Sequence, residues 1–474
     1  MLQPLSGDWL ASSAKGMGAK IGALHLWWRC MRSTKIVATV GPASRDAEML
    51  RGLEEAGVDT FRINCSYLES HEVLELIHHI RETTPNVGVL VDVQGPKLRT
   101  GEVPYTFVEG TEIELTSEMF GFDLHEIGIQ SGERVLVADG QIELWITSIR
   151  GGDISARVLV GGECAPHRGV NFPDTDVKVS ALNEKDYGDI AAAKQGGAEW
   201  IALSFVRDAA IIEEVRNIVG DEPRIIAKIE RRQALMNLDA ITRAADGVMA
   251  ARGDLGAELS FEEVPNMQQR IAEVAMIEGK VSICATEMLE SMRTSHRPTR
   301  AEVADVAGAV RQGFGAVMLS AETATGYDPI NAVTAMARIC EANENHGGHK
   351  AFADAHPTES AVGAATAALA QRTGAASIIA LTYSGFSSEI LSACRPSAQI
   401  IAATPSHDVA RRLRLYWGVT PLVCPRDSNM TKAVDDAFEA SVDEGLVQSN
   451  ELVVVCASRE NMRSTADTIW VHNA

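Results

Sequence analysis

Aromatic residues are scarce in this chain, at 5% of all positions, while Ala and Gly are abundant. Small side chains in that proportion favour helices laid closely on strands. No two of the eight cysteines have C-x-x-C spacing, which removes the usual zinc and redox-pair readings. Several cysteines lie inside apolar, strand-like runs, where a reduced core thiol is expected, and this fits a cytoplasmic protein. No run of about 18 apolar residues occurs, so no membrane span is expected. Positive charge is outnumbered: 43 Lys and Arg against 64 Asp and Glu give a formal net charge of −21. That balance speaks against a nucleic acid or an anionic membrane as partner. It leaves room for a small anionic substrate, whose binding depends on the local field in a cleft. No low-complexity tract is present. The 474 residues, 46% of them hydrophobic, suffice for two or three domains with cores of their own.

From Thr34 onward, a short β-rich run ending in polar residues is repeatedly followed by an amphipathic stretch. The runs are TKIVATVG from Thr34, DTFRINCS from Asp59, GVLVDVQG from Gly88 and AEWIALSFV from Ala198, then PRIIAKIE from Pro223, DGVMAARGD from Asp246, VSICATEML from Val281 and GAVMLSAET from Gly315. Apolar runs of this length suit strands buried on both faces of a parallel sheet. The stretches between them carry helical faces, such as Met49, Leu50, Leu53 and Ala56 ahead of Gly57, or Val264, Met267, Ile271 and Val274. Eight such units predict a closed (β/α)8 TIM barrel spanning residues 32–99 and 178–345.

The interval between the third and fourth runs is far too long for one helix. Residues 100–177 alternate apolar and polar positions between Gly-rich turns, which predicts an inserted small β-barrel domain. The His- and Gly-rich stretch Asn345–Lys350 marks a boundary. Beyond it, residues 346–474 hold five strand-like runs separated by helices, the pattern of a C-terminal open α/β sheet domain. Residues 1–31 read as a disordered N-terminal extension, with a transit peptide as the alternative because Asp8 is their only acid.

Barrels of this kind place their chemistry at the C-terminal ends of the strands. Polar residues cluster there: Arg62, Asn64 and Ser66, then Asp92, Gln94, Lys97 and Arg99, Lys228 and Glu230, Arg252, Gly253 and Asp254, Thr286 and Glu287, and Ser320 and Glu322. Glu230 and Asp254 are hard oxygen ligands on adjacent strands, suited to Mg²⁺ or Mn²⁺ that also binds substrate oxygens. Lys228 lies two residues before Glu230 and points to the same side of its strand. With Arg62 it can stabilise a phosphoryl group in transfer. The amides of Gly253 and Asp254, at a helix start, suit a carboxylate. The pocket therefore asks for a small substrate carrying both phosphate and carboxylate.

The segments TKIVATVGPAS, GPKLRTG, EKD, SFVR, AKIE, DGVMAARGDLG, ICATEMLESM, AEVADVAGAV and MLSAETA, in that order, resemble the signatures of the pyruvate kinase family. The resemblance is close over residues 33–345 and looser beyond. It implies phosphoryl transfer from phosphoenolpyruvate to ADP, giving pyruvate and ATP in glycolysis, by a homotetramer. It also implies roles. Arg62 holds the phosphate, Lys228 stabilises the transition state, and Glu230 and Asp254 bind Mg²⁺. Gly253, Asp254 and Thr286 bind the carboxylate, and Thr286 serves proton delivery with Ser320 and Glu322 as relay. Arg99 and Asp139 belong to the nucleotide side and to the lid formed by the insert.

Departures from the family pattern are informative. Lys97 stands where most members carry Glu, and Val93 where K⁺-dependent members have Thr. Asn64, Ser66 and Asp92 match the residues that hold K⁺. The ammonium of Lys97 can supply the ion's charge, so no K⁺ requirement is expected. Tyr67, Gln94, Ala321 and Thr325 replace His, Lys, Gly and Lys, which thins the cations near the nucleotide. In the C-terminal part, Thr382, Ser384 and Ser387, with Ser388, form a candidate phosphate-cradling effector loop; a plain helix cap by Ser387 or Ser388 is the alternative. Two other functions remain open from the residues alone. One is a Mg²⁺-dependent 2-oxo acid aldolase or lyase on a similar barrel. The other is a non-catalytic regulatory paralogue.

Overall fold

A computed structural model describes residues 32–138, 140–175, 177, 182–344, 357–425, 429–458 and 466–473. The expected N-terminal extension, Asp139 and the Asn345–Lys350 boundary lie outside the described residues.

Three parallel strands open the chain: β1 (Lys35–Thr39), β2 (Thr60–Asn64) and β3 (Gly88–Val93). Nearly every residue in them is buried, as apolar runs covered on both faces require. The helix Ala47–Ala56 after β1 starts at Asp46, whose side chain accepts the Met49 N–H, and ends at Gly57 in the left-handed region (φ 115°). It buries Leu50 and Leu53, with Met49 and Ala56 packed beside them, which is the face read from the sequence.

The insert follows. Its strands are β4 (Tyr105–Phe107), β5 (Glu112–Leu115), β6 (Arg134–Val137), β7 (Ile142–Arg150), β8 (Asp153–Val160), β9 (Gly162–Cys164) and β10 (Val170–Asn171). Five of them form one sheet in the order β10-β6-β7-β8-β5, and β4 pairs with β9. All these pairings are antiparallel. They enclose a core of their own around Phe120, Leu144 and Ile146. Where the chain returns to the barrel, the Asn171 amide donates to Glu258 Oε1 (3.2 Å) and Gln233 Nε2 to the Thr175 carbonyl (3.2 Å).

Five more strands complete the barrel: β11 (Trp200–Leu203), β12 (Arg224–Ile229), β13 (Gly247–Ala251), β14 (Val281–Ala285) and β15 (Ala316–Leu319). The eight close in the order β1-β15-β14-β13-β12-β11-β3-β2. The parallel register sets the strand ends side by side: Asn64 lies opposite Asp92, Leu203 opposite Ala227, and Ala251 opposite Ala285. Residues just beyond these positions therefore share one mouth.

The C-terminal sheet has β16 (Ser377–Leu381), β17 (Gln399–Thr404), β18 (Val419–Val423), β19 (Leu452–Ala457) and β20 (Thr468–Asn473), in the order β18-β17-β16-β19-β20. Only the β19–β20 pairing in it is antiparallel. This sheet plugs the bottom of the barrel. One hydrophobic cluster runs from the barrel interior (Leu90, Trp200, Met249) into the sheet (Ile378, Ile400, Val454). Trp200 and Tyr416 meet across the junction with ring centroids 5.9 Å apart.

Charge closes the same seam. Glu199, 4% exposed just before β11, accepts from Arg81 Nη2 (2.7 Å), Arg411 Nε (2.7 Å) and the Val89 amide (2.8 Å). Arg411 belongs to the C-terminal part, so one carboxylate pins it to the barrel. Glu199→Leu would remove one acceptor from each of two guanidinium groups and from an N–H, and a broken buried pair costs about 3–5 kcal/mol. The urea midpoint of unfolding should fall clearly; an unchanged midpoint would show that the seam holds without this carboxylate.

Candidate active site

Asp92, the one acid inside a barrel strand, organises the mouth. It is 2% exposed and accepts Arg62 Nε on Oδ2 (2.7 Å) and Lys228 Nζ on Oδ1 (3.1 Å). Burial alone would raise its pKa, but Lys228 and Arg62 outweigh burial and hold it below the usual carboxylate range. Lys228 Nζ also donates to Ser204 Oγ (2.7 Å) and lies 3.0 Å from Glu230 Oε1. Burial pulls this ammonium down, yet Asp92 and Glu230 prevail and its pKa is raised. Lys228 is thus a fixed cation. Arg62 Nη1 donates to Thr39 Oγ1 (3.0 Å), which leaves Nη2 for an anion.

Glu230 is 1% exposed. Its Oε2 accepts the Phe205 amide at 2.6 Å. Burial, then the nearby charge of Asp254, push its pKa up against the pull of Lys228. The Asp254 carboxylate opposes the ionisation of Glu230, a repulsion that a divalent cation between the two would relieve. Among the described residues no group of three or more His, Cys, Asp or Glu could hold a metal. Glu230 and Asp254 would therefore leave most coordination positions to substrate and water, as suits Mg²⁺. Lys97 Nζ reaches Asp254 Oδ1 at 2.7 Å.

On the far side, Thr286 Oγ1 accepts the Gly253 amide (2.8 Å) and donates to the Ala285 carbonyl (2.6 Å). Thr286 and Glu287 both sit in the left-handed region, with φ 71° and 52°. For non-glycine residues such a conformation costs about 1–3 kcal/mol each and persists only where the surroundings impose it. Gly253 and Asp254 lie in the first turn of the helix Arg252–Glu258. The Gly253 N–H, expected to meet a carboxylate, is instead committed to Thr286.

The structure thus brings Arg62, Asp92, Lys228 and Glu230 into one hydrogen-bonded cluster, with Lys97 and Asp254 as one pair and Gly253 and Thr286 as another. Other expected residues stand apart from this chain of contacts. Asn64 Oδ1 accepts the Ser66 amide (3.1 Å) and starts the short 3-10 turn Cys65–Tyr67. Lys97 contacts Asp254 rather than Asp92, so its ammonium sits on the Asp254 side of the mouth. Glu322 is fully buried, and its oxygens accept the amides of Leu289 (3.0 Å) and Ser320 (2.7 Å). Burial raises its pKa despite these bonds. Both relay residues meet each other, but no hydrogen bond among the described residues links them to Thr286. Arg99 Nη1 donates to the His167 carbonyl (3.1 Å) at the root of the insert. It lines a cleft of about 640 Å³ with Lys97, Glu118, Phe122 and His167.

In the C-terminal loop, Thr382 Oγ1 accepts the Gly385 amide (2.9 Å) and the Ser384 carbonyl accepts Arg412. The helix Phe386–Ala393, which carries Ser387, begins at Gly385 (φ 91°) without a side-chain cap, so the plain Ser cap expected as the alternative is not formed. Ser388 Oγ is buried with no hydrogen-bond partner among the described residues.

Sequence reasoning passed over Ser204 and Thr39, which complete the Lys228 and Arg62 hydrogen bonds. The signal for Ser204 was a hydroxyl directly after an apolar run, in the SFVR segment. Arg252 reads from the sequence as a mouth cation; its guanidinium is instead bound to Asp305 and to the Thr286 carbonyl.

Known proteins match both the barrel and the C-terminal sheet of this chain. The profile of the pyruvate kinase barrel domain matches residues 31–333, and that of the pyruvate kinase alpha/beta domain matches residues 360–472. The pyruvate kinase of Methylorubrum extorquens is 40% identical over 90% of this chain and 94% of its own length. A pyruvate kinase of Agrobacterium vitis is 39% identical over 90% of this chain and 95% of its own. Pyruvate kinase 2 of a Synechocystis strain is 38% identical over 93% of this chain and 79% of its own. With both profiles and these relatives covering barrel and C-terminal sheet alike, the chain belongs to the pyruvate kinase family of phosphotransferases.

Proposed function

We propose that this protein transfers the phosphoryl group of phosphoenolpyruvate to ADP, giving pyruvate and ATP in cytoplasmic glycolysis, as a homotetramer that uses Mg²⁺ and needs no K⁺. The observation that carries the reading is the buried cluster of Arg62, Asp92, Lys228 and Glu230 at the barrel mouth.

Charge balance supports it. Arg62, Lys228 and Lys97 supply three cations, and Asp92, Glu230 and Asp254 three carboxylates, so the mouth is near neutral by itself. A divalent ion on Glu230 and Asp254 would supply the charge that neutralises phosphoryl and carboxylate oxygens. Arg62 meets the phosphoryl group through Nη2 while Asp92 and Thr39 fix its other nitrogens. Lys228, held cationic by Asp92 and Glu230, stabilises negative charge as the group moves. The Asp254 N–H receives the substrate carboxylate. The Thr286 hydroxyl, oriented by Gly253, lies on the face where the enolate carbon takes its proton. The cleft beside Lys97 and Arg99 supports a nucleotide site under the insert.

Lys228→Met removes the fixed cation and should lower kcat about 10³-fold, the scale seen when one preorganised charge donor is lost. Pyruvate formation coupled to a reporter enzyme, with circular dichroism as a folding control, checks this; a loss below tenfold would overturn the role of Lys228. Chelation should abolish turnover and added Mg²⁺ restore it, whereas Glu230→Gln should remain inactive at Mg²⁺ levels that saturate the wild type.

Independence from K⁺ is proposed from the presence of an ammonium at position 97, although that ammonium lies on Asp254 and not on the Asn64, Ser66 and Asp92 set. Rates in Na⁺, K⁺ and tetramethylammonium salts at one ionic strength should agree within about twofold. Lys97→Glu should slow the enzyme and make it respond to K⁺. A many-fold activation of the wild type by K⁺ alone would overturn this part of the proposal.

A further inference from the structure

Arg252 begins the helix Arg252–Glu258 at the top of β13, next to the residues proposed to bind substrate. Its guanidinium turns back onto the neighbouring loop. Nη2 donates to the Thr286 carbonyl at 2.6 Å, and Nε reaches the carbonyls of Thr286 (3.2 Å) and Ala285 (3.3 Å). Nη1 lies 2.7 and 2.6 Å from the two oxygens of Asp305, on the helix Arg300–Gln312. A weaker contact joins Nη1 to Gln268 Oε1 at 3.4 Å, and Gln268 in turn donates to Gln312 at 2.6 Å.

The loop gripped in this way is the strained one. Thr286 is β-branched, and in the left-handed region its side chain crowds its own backbone. Glu287 repeats the conformation at the next position. Left to local preference, the loop would relax and Thr286 Oγ1 would swing away from the Gly253 amide. A planar guanidinium with a fixed fork of donors can hold one carbonyl with two of its nitrogens while a carboxylate fixes the third. Since Gly253 directly follows Arg252, one residue sets both sides of the Thr286–Gly253 contact. Its main chain places the amide, and its side chain places the hydroxyl.

We propose that Arg252, anchored by Asp305, is a positioning residue for Thr286, and that it holds the strained loop so that the Thr286 hydroxyl faces the substrate. The inference rests on the reading that Thr286 serves the proton step. Arg252 acts on that step through Thr286 and leaves the phosphoryl-transfer cluster of Arg62, Asp92 and Lys228 untouched.

The test uses the full-length protein as wild type, Arg252→Met, Thr286→Val and the double variant. Two readouts are followed: kcat and KM for pyruvate formation, and deuterium wash-in from D₂O to the methyl group of pyruvate in the presence of Mg²⁺ and ATP. Arg252→Met should lower kcat about 100-fold, the scale of a misplacement of about 1 Å, with a small change in KM. Wash-in should fall with it. The double variant should be no slower than Thr286→Val, because the clamp has nothing left to position. Arg252→Lys, which keeps the charge and loses the fork, should recover little. Multiplying effects in the double variant, or unchanged wash-in, would overturn the clamp.

If Arg252→Met does not fold, Asp305→Asn decides. It should slow wash-in while Thr286→Val masks its effect, and a full-rate Asp305→Asn overturns the proposal. A wild type that forms no pyruvate sinks the functional reading itself. An active wild type with an unimpaired Thr286→Val sinks only the role of Thr286.

Discussion

A buried carboxylate inside a barrel strand is the constraint on which the site depends. Asp92 lies in β3 where an apolar residue would pack at no electrostatic cost, and it is tolerated because two cations meet it. The arrangement spans strands. Arg62 comes from β2, Asp92 from β3, Ser204 from the residue after β11, and Lys228 with Glu230 from the end of β12. Both cations share the one carboxylate of Asp92. A buried network of this kind tends to be complete or broken, since a lone charge left inside costs more than the pair contributes. The packing between these barrel strands and the proposed chemistry therefore rest on the same residues.

The opposite end of the barrel is tied into the same strands. Glu199, at the base of β11, holds Arg411 of the C-terminal part, and Ser204, at the top of that strand, accepts from Lys228. Only the residues of β11 separate the two contacts, all buried between neighbouring strands. A second tie runs from Arg412 to Glu222 in the barrel and to the Ser384 carbonyl of the C-terminal loop. The C-terminal sheet is thus packed against the strands that carry the site, by charge at the rim and by Trp200 and Tyr416 at the centre.

The architecture was largely legible in the sequence because strands buried on both faces leave long apolar runs with few competing readings. The insert was legible for the converse reason: alternation and Gly-rich turns have no place in a helix. Within the site, the residue types at the strand ends were legible, but their partners were not. Sequence position says which residues leave a strand together and not where a long side chain ends. Arg252 reads as one more cation at the mouth, yet four carbons of reach take it to Asp305 and the Thr286 carbonyl. Lys97 reads as a neighbour of Asp92, yet its ammonium lies on Asp254. Glu322 is expected as a proton relay, yet main-chain amides occupy both oxygens. Short side chains fixed on a strand, such as Asp92, are the ones whose placement the register alone dictates.

The contrast between global and local charge explains how so acidic a chain can serve anions. A formal charge of −21 spread over the surface is screened within about 8 Å at physiological ionic strength. The cluster at the mouth is buried, where screening is weak and every ångström counts. Arg62 and Lys228 stand within 2.7 and 3.1 Å of Asp92, and Lys97 within 2.7 Å of Asp254, so each cation is held in place by an acid that cancels its long-range field. An anion arriving at contact distance experiences the cations' donors directly, while one at the surface experiences little net attraction. Pairing thus confines the attraction to ligands shaped to enter the mouth, and a divalent ion on Glu230 and Asp254 would tip the balance toward binding at that point and nowhere else.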